Sequence, residues 1–311
     1  MLSCLAFTVP AHGQTIVDGT SHTEDNARLR MIVLGSGGPG ATGRAGSSYL
    51  VLLDNVPRIL IDAGPGSFAR LGEAHLSVEQ MDIVLLTHLH IDHTAELPGM
   101  LKARAVSSDG DIHFHIYGPE GRSGKRGDAT FPSTVRLTQL LFGKNGAYGY
   151  LKDFSAPITI DAHNLSTLIR PDPQPKVIFT EGELKISAIA GHHRDAPAII
   201  YRIDYAGKSI TFSGDIDASG LPDLQKIARD TDLLVFNSVV LDPPESPDIL
   251  YTLHTPPGAI GQLAQSAGVK KIMLSHLSQA VDHARPEVEI SIRSAYPGPL
   301  LFAEDGLWAT P

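Results

Sequence analysis

The amino-acid sequence predicts an α/β fold in which strands and helices alternate over residues 29–311. Two observations point there. Short apolar runs rich in Val, Ile and Leu recur along the chain at strand length, and stretches with helical periodicity fall between them. In addition, no internal repeat, heptad pattern or low-complexity tract breaks the 311 residues into arrays.

The elements follow in order. After a polar lead-in through Arg28, strands are expected at Met31 to Leu34, Tyr49 to Leu53 and Ile59 to Ile61. A helical pattern from Ser67 to His75 leads to a strand at Ile83 to Leu86, and a second helix is expected from Leu97 to Val106. Later strands are expected at Ile112 to Tyr117, Lys176 to Thr180, Leu184 to Ala190, Ala198 to Tyr205, Ser209 to Ser213, Leu233 to Asn237 and Lys271 to Leu274. Helices are expected at Leu221 to Arg229 and Gly258 to Gly268. The segment of about 118–175 breaks this rhythm with a Gly-rich basic loop, a predicted helix from Thr134 to Phe154 and a closing Pro171-Asp172-Pro173-Gln174-Pro175; it reads as an insertion or lid.

Composition narrows the function. Lys and Arg total 25 against 34 Asp and Glu, a net charge of -9, so no broad basic field attracts nucleic acid or an anionic membrane. Nucleic acid is therefore a disfavoured partner. Cys4 is the only cysteine, which rules out an intrachain disulfide and a thiolate ligand in any metal site farther along. Residues Leu2 to Val9 are mostly apolar and precede Ala11-His12-Gly13, a pattern like the end of a secretory signal, although no Lys or Arg comes before it. Residues 1–28 are accordingly read as a signal segment and polar lead-in, with a frayed N-terminal tail as the other reading, and the location as periplasmic or secreted, otherwise cytoplasmic. No apolar stretch is long enough to cross a bilayer, and assembly into a homo-oligomer stays open.

The most specific feature is Thr87-His88-Leu89-His90-Ile91-Asp92-His93, directly after an apolar run. A buried strand ending in H-x-H-x-D-H can aim several nitrogen and oxygen ligands at one place from a short loop, as zinc requires. His88 and His90 can share one ion, while Asp92 and His93 turn toward a second. Three more strand ends carry the same residue types: Gly191-His192-His193, Phe212-Ser213-Gly214-Asp215 and Leu274-Ser275-His276. Loops at strand ends are free to carry polar groups. Together these residues make two nearly complete coordination sets.

This pattern resembles the metallo-β-lactamase superfamily, and within it the branch holding ribonuclease Z, arylsulfatase-like enzymes and related phosphodiesterases. Leu34-Gly35-Ser36-Gly37-Gly38-Pro39, Leu60-Ile61-Asp62-Ala63-Gly64-Pro65-Gly66 and the closing Lys271 to His276 run carry the likeness over most of the chain. The resemblance implies a four-layered αββα sandwich with metals in a cleft at one edge. It implies two Zn2+ per chain, with Mn2+ or Fe2+ as alternatives. His88, His90 and His193 would hold one ion; Asp92, His93 and His276 the other; Asp215 would bridge them. His193 is preferred to His192 because Pro197 and Tyr201-Arg202 follow it at the family's spacing; the neighbours exchange roles if the strand ends in a bulge. The resemblance also gives His254 the task of assisting the leaving group, and places Asp62 behind the ligands, fixing the tautomer of one imidazole.

Two zinc ions about 3.5 to 4 Å apart can share a water, lower its pKa toward about 7 and present the resulting hydroxide as a nucleophile. The expected activity is therefore hydrolysis of a small-molecule ester, a phosphodiester or an aryl sulfate, with Asp92, Asp215 and His254 at the catalytic centre. Lactone or β-lactam hydrolysis is the alternative. Processing of tRNA 3′ ends is disfavoured because only 22 positions separate His193 from Asp215, where bacterial ribonuclease Z carries its tRNA-gripping arm. No Gly-x-Ser-x-Gly elbow or Ser-x-x-Lys pair marks serine chemistry. Gly35, Gly37 and Gly40 match G-x-G-x-x-G, but the chain runs on into another strand, so no helix N-terminus awaits a pyrophosphate. Arg122, Lys125 and Arg126 read as a solvated loop, and Phe131, Phe142, Tyr148, Tyr150 and Phe154 as packing for the insertion, with an aryl pocket as the other option.

Overall fold

A computed structural model describes residues 27–123, 130–153, 157–168, 172–194 and 196–311. The expected signal segment, Lys125, Arg126 and Phe154 lie outside them. The first half contains β1 (Leu29–Gly35), β2 (Ser48–Leu53), β3 (Val56–Ile61), α1 (Ser67–Glu73), β4 (Ile83–Leu85), α2 (Ile91–Thr94), α3 (Leu97–Val106), β5 (Ile112–Pro119), α4 (Thr134–Phe142) and β6 (Ile158–Leu165). The second contains β7 (Lys176–Glu181), β8 (Leu184–His193), β9 (Ala196–Tyr205), β10 (Lys208–Phe212), α5 (Leu221–Ile227), β11 (Leu233–Asn237), α6 (Pro257–Ser266), β12 (Ile272–Ser275), α7 (Gln279–His283), α8 (Arg285–Arg293), β13 (Leu300–Phe302) and β14 (Trp308–Ala309).

The strands form two seven-stranded sheets, ordered β14-β1-β2-β3-β4-β5-β6 and β13-β12-β11-β10-β9-β8-β7. Alternation along each strand explains why they stack. One set of side chains, including Met31, Val51, Ile61 and Leu85, meets Ile186, Tyr201, Phe212 and Met273 of the facing sheet in a shared core. The other face of the first sheet, with Ile32, Leu50, Leu60 and Val84, is covered by Leu71, Leu97, Met100 and Phe142 from helices. Ile200, Leu234, Phe236 and Leu274 of the second sheet lie under Leu224, Ile260, Leu263 and Ile292 in the same way. Strands buried on both faces need apolar side chains at nearly every position, which is why they read as continuous Val, Ile and Leu runs. The result is the four-layered αββα sandwich.

Several helix boundaries have identifiable local causes. The Ser133 hydroxyl accepts from the Arg136 N–H at the start of α4, and α3 and α6 begin with proline in their first turn. The predicted helix from Thr134 to Phe154 is corrected: α4 ends at Phe142, and Gly143, Gly146 and Gly149 turn the chain before a 3₁₀ turn at Gly149–Asp153. β6 follows as a parallel partner of β5 and forms the edge of the first sheet. No helix stands between β1 and β2, in keeping with the expectation that the chain runs from the Gly35 to Gly40 segment into another strand. Among the described residues no helix is long and apolar enough to cross a membrane.

Candidate metal centre

Backbone geometry explains how one short loop presents four donors. β4 stops at Leu85, the chain bends at Thr87, and His90 is extended, with the His88 and His90 rings 4.6 Å apart. The backbone then coils into α2, whose first turn carries Asp92 and His93. The loop, which leaves β4 of the first sheet, is fastened to β9 of the second: the Tyr201 hydroxyl donates to the Leu86 carbonyl at 3.0 Å, and the Ile199 N–H to the Thr87 carbonyl at 2.8 Å. Close contact with a neighbouring turn holds it from the other side. A Cβ on Gly64 would stand 2.2 Å from the Asp92 carbonyl oxygen, so only glycine permits this approach.

The second sheet supplies the rest. His193 ends β8, Asp215 follows β10 and His276 follows β12. Gly214 (φ 57°) and His276 (φ 53°) both lie in the left-handed region, as does Asp62 (φ 53°) at the end of β3. For the two non-glycine residues this conformation costs on the order of 1 kcal/mol or more and persists where surrounding contacts demand it.

These side chains converge. His88 Nε2 lies 3.0 Å from His90 Nδ1, and His93 Nε2 lies 3.0 Å from His276 Nε2, which is 3.3 Å from Asp92 Oδ2. Asp215 sits between the two groups: its Oδ2 is 3.9 Å from His88 Nε2, 3.8 Å from His193 Nε2 and 3.7 Å from His93 Nε2, and its Oδ1 is 3.6 Å from His276 Nδ1. Four overlapping donor clusters result: His88, His90 and His193; His88, His93 and Asp215; Asp92, His93 and His276; and His193, Asp215 and His254. His192 turns the other way, its Nδ1 2.6 Å from Asp217 Oδ2, because adjacent strand residues face opposite sides.

Supporting contacts set the tautomers. Asp62 accepts the Thr87 N–H at 2.8 Å, the Thr87 hydroxyl at 2.7 Å and the His93 Nδ1–H at 2.7 Å. His193 Nδ1 donates to the Leu253 carbonyl at 2.7 Å. Each bond leaves the Nε2 lone pair of its ring facing the cluster. Asn237 Nδ2 donates to Asp215 Oδ1 at 2.7 Å, a contact that the sequence reading missed, although Asn237 was expected at a strand end.

The electrostatics fit a divalent cation. Burial pushes the His88 and His90 pKa values down, helped by the neighbouring imidazoles of His93 and His193 respectively. Burial opposes charge on Asp215 and Asp92 too, but His276 and His93 overcome it, holding Asp215 well below the ordinary carboxylate range and Asp92 at about 2. Burial likewise disfavours a charged His93, yet Asp62 and Asp215 raise its pKa well above the ordinary value. The buried His276 Nδ1 has no hydrogen-bond partner among the described residues. Two ionised carboxylates facing the neutral imidazoles of His88 and His90 are what a divalent metal such as zinc satisfies and a packed core does not.

His254, just before α6, enters the same site: its ring centroid is 5.4 Å from that of His193 and 6.1 Å from that of His276. Burial lowers its pKa to about 4, with Asp215 opposing, so the ring is neutral at pH 7. A cleft of about 500 Å³ opens beside His193, lined by Glu120, Arg122, Thr167, His192 and Arg194. Of the aromatics expected to pack the middle segment, Phe142 does so, whereas Phe131 lies 5.8 Å from the His90 ring.

The family model of the metallo-β-lactamase superfamily matches residues 41–231. The chain belongs to the metallo-β-lactamase superfamily. Among this superfamily's members it is similar to a ribonuclease Z of Mycobacterium sp. (strain KMS), 26% identical over 257 residues that cover 80% of this chain and 84% of the relative. Solved structures of like fold include the short form of human tRNase Z, with a TM-score of 0.66 and 19% identity over 90% of this chain and 98% of that one. A diphosphatase of the PhnP family aligns with a TM-score of 0.57 and 17% identity over 91% of this chain and 98% of that one. The protein is a metal-dependent hydrolase of the metallo-β-lactamase fold. The matched span holds the His88 to His93 loop, His193 and Asp215, while His254 and His276 lie beyond it.

Proposed function

We propose that this hydrolase cleaves small phosphodiesters at a dinuclear zinc centre, with His88, His90 and His193 holding one ion, Asp92, His93 and His276 the other, and Asp215 shared between them. The observation that carries this reading is the position of Asp215, whose carboxylate lies within 4 Å of nitrogens from both groups. When bound, a pair of divalent cations supplies Lewis acidity and lowers the pKa of coordinated water toward about 7.

The chain's own residues do the rest. Asn237 holds Asp215, and Asp62 holds His93, so the donors are in place before substrate arrives. Arg122 and Arg194 in the adjoining cleft give an anionic ester complementary charge. His254, neutral at pH 7, offers an N–H hydrogen bond to the departing oxygen, and that bond strengthens as negative charge gathers there. This reads the expected leaving-group assistance as that of a neutral hydrogen-bond donor. Between β9 and β10 the chain turns at Ala206 and Gly207, with no extra arm to grip a large RNA. That, with the net charge of -9, favours a small substrate, although relatives bear the name ribonuclease Z.

The test is parallel assay of zinc-loaded protein on bis(4-nitrophenyl) phosphate, 4-nitrophenyl sulfate, a lactone, a chromogenic cephalosporin and a precursor tRNA. We expect the phosphodiester to turn over at least about tenfold faster than the sulfate, lactone and cephalosporin, a transition-state preference of about 1.4 kcal/mol. Chelation should abolish it and zinc restore it. Preference for the lactone, the cephalosporin or the tRNA overturns the assignment.

A further inference from the structure

A separate group of metal-type donors lies away from the cleft. β5 carries His113 and His115 two residues apart, so both rings stand on one face, stacked with centroids 4.7 Å apart. β6 runs beside it in parallel register, with His115 opposite Asp161 and Tyr117 opposite His163, which brings Asp161 and His163 up on that same face. Asp161 Oδ2 is 3.7 Å from His115 Nδ1 and 3.0 Å from His163 Nε2. One donor atom from each of His113, His115 and Asp161 lies within 4.8 Å of the others.

We propose that His113, His115 and Asp161, with His163 beside them, bind a divalent transition metal of the zinc type at a site distinct from the hydrolytic centre. Two features favour a ligand over a merely solvated patch. His163 Nε2 is buried and, despite standing 3.0 Å from the Asp161 carboxylate, is out of line for a hydrogen bond and has no such partner among the described residues. A cation beside the ring and the carboxylate would satisfy that nitrogen by a lone-pair bond. The surroundings also fix the rings: Tyr117 stacks on His163 at 4.6 Å and 13°, and Phe179 lies 5.6 Å from His115.

The donor set selects the ion. Imidazole nitrogens suit zinc, copper or nickel and disfavour magnesium or calcium, which take oxygen ligands. One carboxylate leaves a bound dication with residual positive charge, tolerable here because Asp161 and His163 are 49% and 39% exposed. β6 is the edge strand of its sheet. An ion shared by β5 and β6 therefore cross-links that edge to the interior, beyond the ladder bonds alone. Independence from the cleft follows from register: His115 pairs with Ile83, five residues ahead of His88, which is roughly 15 Å along the strand direction.

The experiment titrates Zn2+ into metal-stripped full-length protein by calorimetry and follows Co2+ binding by its visible absorption. It compares wild type, the His113→Gln/His115→Gln double variant and Asp161→Asn. We expect the double variant to bind one equivalent fewer than wild type, with hydrolytic activity unchanged, and Asp161→Asn to bind that equivalent at least about tenfold more weakly. Zinc added beyond the cleft's requirement should raise the Tm of wild type and not of the double variant. If the double variant fails to fold, the Asp161→Asn titration decides alone. Equal stoichiometry and affinity in folded variants and wild type overturns the site.

Discussion

His193 donates its Nδ1 hydrogen to the Leu253 carbonyl at 2.7 Å. That bond turns the Nε2 of His193 toward Asp215 and ties the end of β8 to the turn ahead of α6, where the next residue is His254. One hydrogen bond thus orients a metal-facing ring and delivers a neighbouring histidine to the same cleft.

His254→Ala should separate these tasks. His254 also forms a donor triad with His193 and Asp215, but the proposed zinc centre has its ligands without it, so the variant should retain wild-type metal content by elemental analysis. Turnover should fall by about 10²- to 10³-fold, the range for loss of one hydrogen-bond donor to charge developing in the transition state. Loss of metal in this variant would mean that His254 is a ligand.

Asp62→Asn probes the support behind His93. An amide has one acceptor oxygen where the carboxylate accepts from the Thr87 N–H, the Thr87 hydroxyl and His93 Nδ1. Metal affinity should drop by about 10- to 100-fold while the fold persists, read by competition with a chromophoric chelator and by circular dichroism. Unchanged affinity would show that His93 needs no such anchor.

Gly64→Ala tests whether the loop's position depends on close backbone approach. The added methyl would collide with the Asp92 carbonyl oxygen and with the Gly46 carbonyl carbon, at 2.2 Å and 2.4 Å. Both contacts are backbone, so neither can swing aside. We expect a stability loss of about 1–3 kcal/mol in urea unfolding, together with weakened metal binding because Asp92 and His93 move with the loop. Wild-type stability and metal content together would refute this account of the glycine.

Asp232 offers a pH test remote from the metal centre. Its carboxylate is buried and accepts from the Ser209 N–H and hydroxyl and from Lys208 and Lys270. Burial alone would raise its pKa, but Lys270, Ser209 and Lys208 overcome that and lower it. A depressed carboxylate stabilises the fold above its unfolded pKa, and the contribution is lost as pH falls through the folded value. Asp232→Ala should therefore cost about 2–3 kcal/mol at neutral pH, from charged hydrogen bonds lost. The gap between variant and wild type should narrow below about pH 4. A gap constant with pH would contradict the ionic explanation.

Much of this was legible in the residues alone. Strand and helix runs from Met31 to Leu274 stood out because strands buried on both faces must be apolar throughout, and α3 and β11 fall at the limits read from the sequence. The remainder was quieter. β13 and β14 have three and two residues, too few for a period to register. β6 alternates Ile158, Ile160 and Ala162 with polar residues, as a half-exposed edge strand should, but that pattern was hidden inside a segment read as an insertion. α7 and α8 went unread because Pro286 interrupts the run, although it sits in the first turn of α8, where proline is tolerated.

The sequence by itself determined the donor inventory: which histidines and aspartates stand at strand ends, and that one loop carries four of them. Only the tertiary structure decided how they meet. Sequence order cannot state that Asn237 grips the Asp215 carboxylate or that Phe131 lies against His90. Those relations depend on the direction in which each side chain leaves the backbone and on the register between strands, and both are set by packing two sheets against each other.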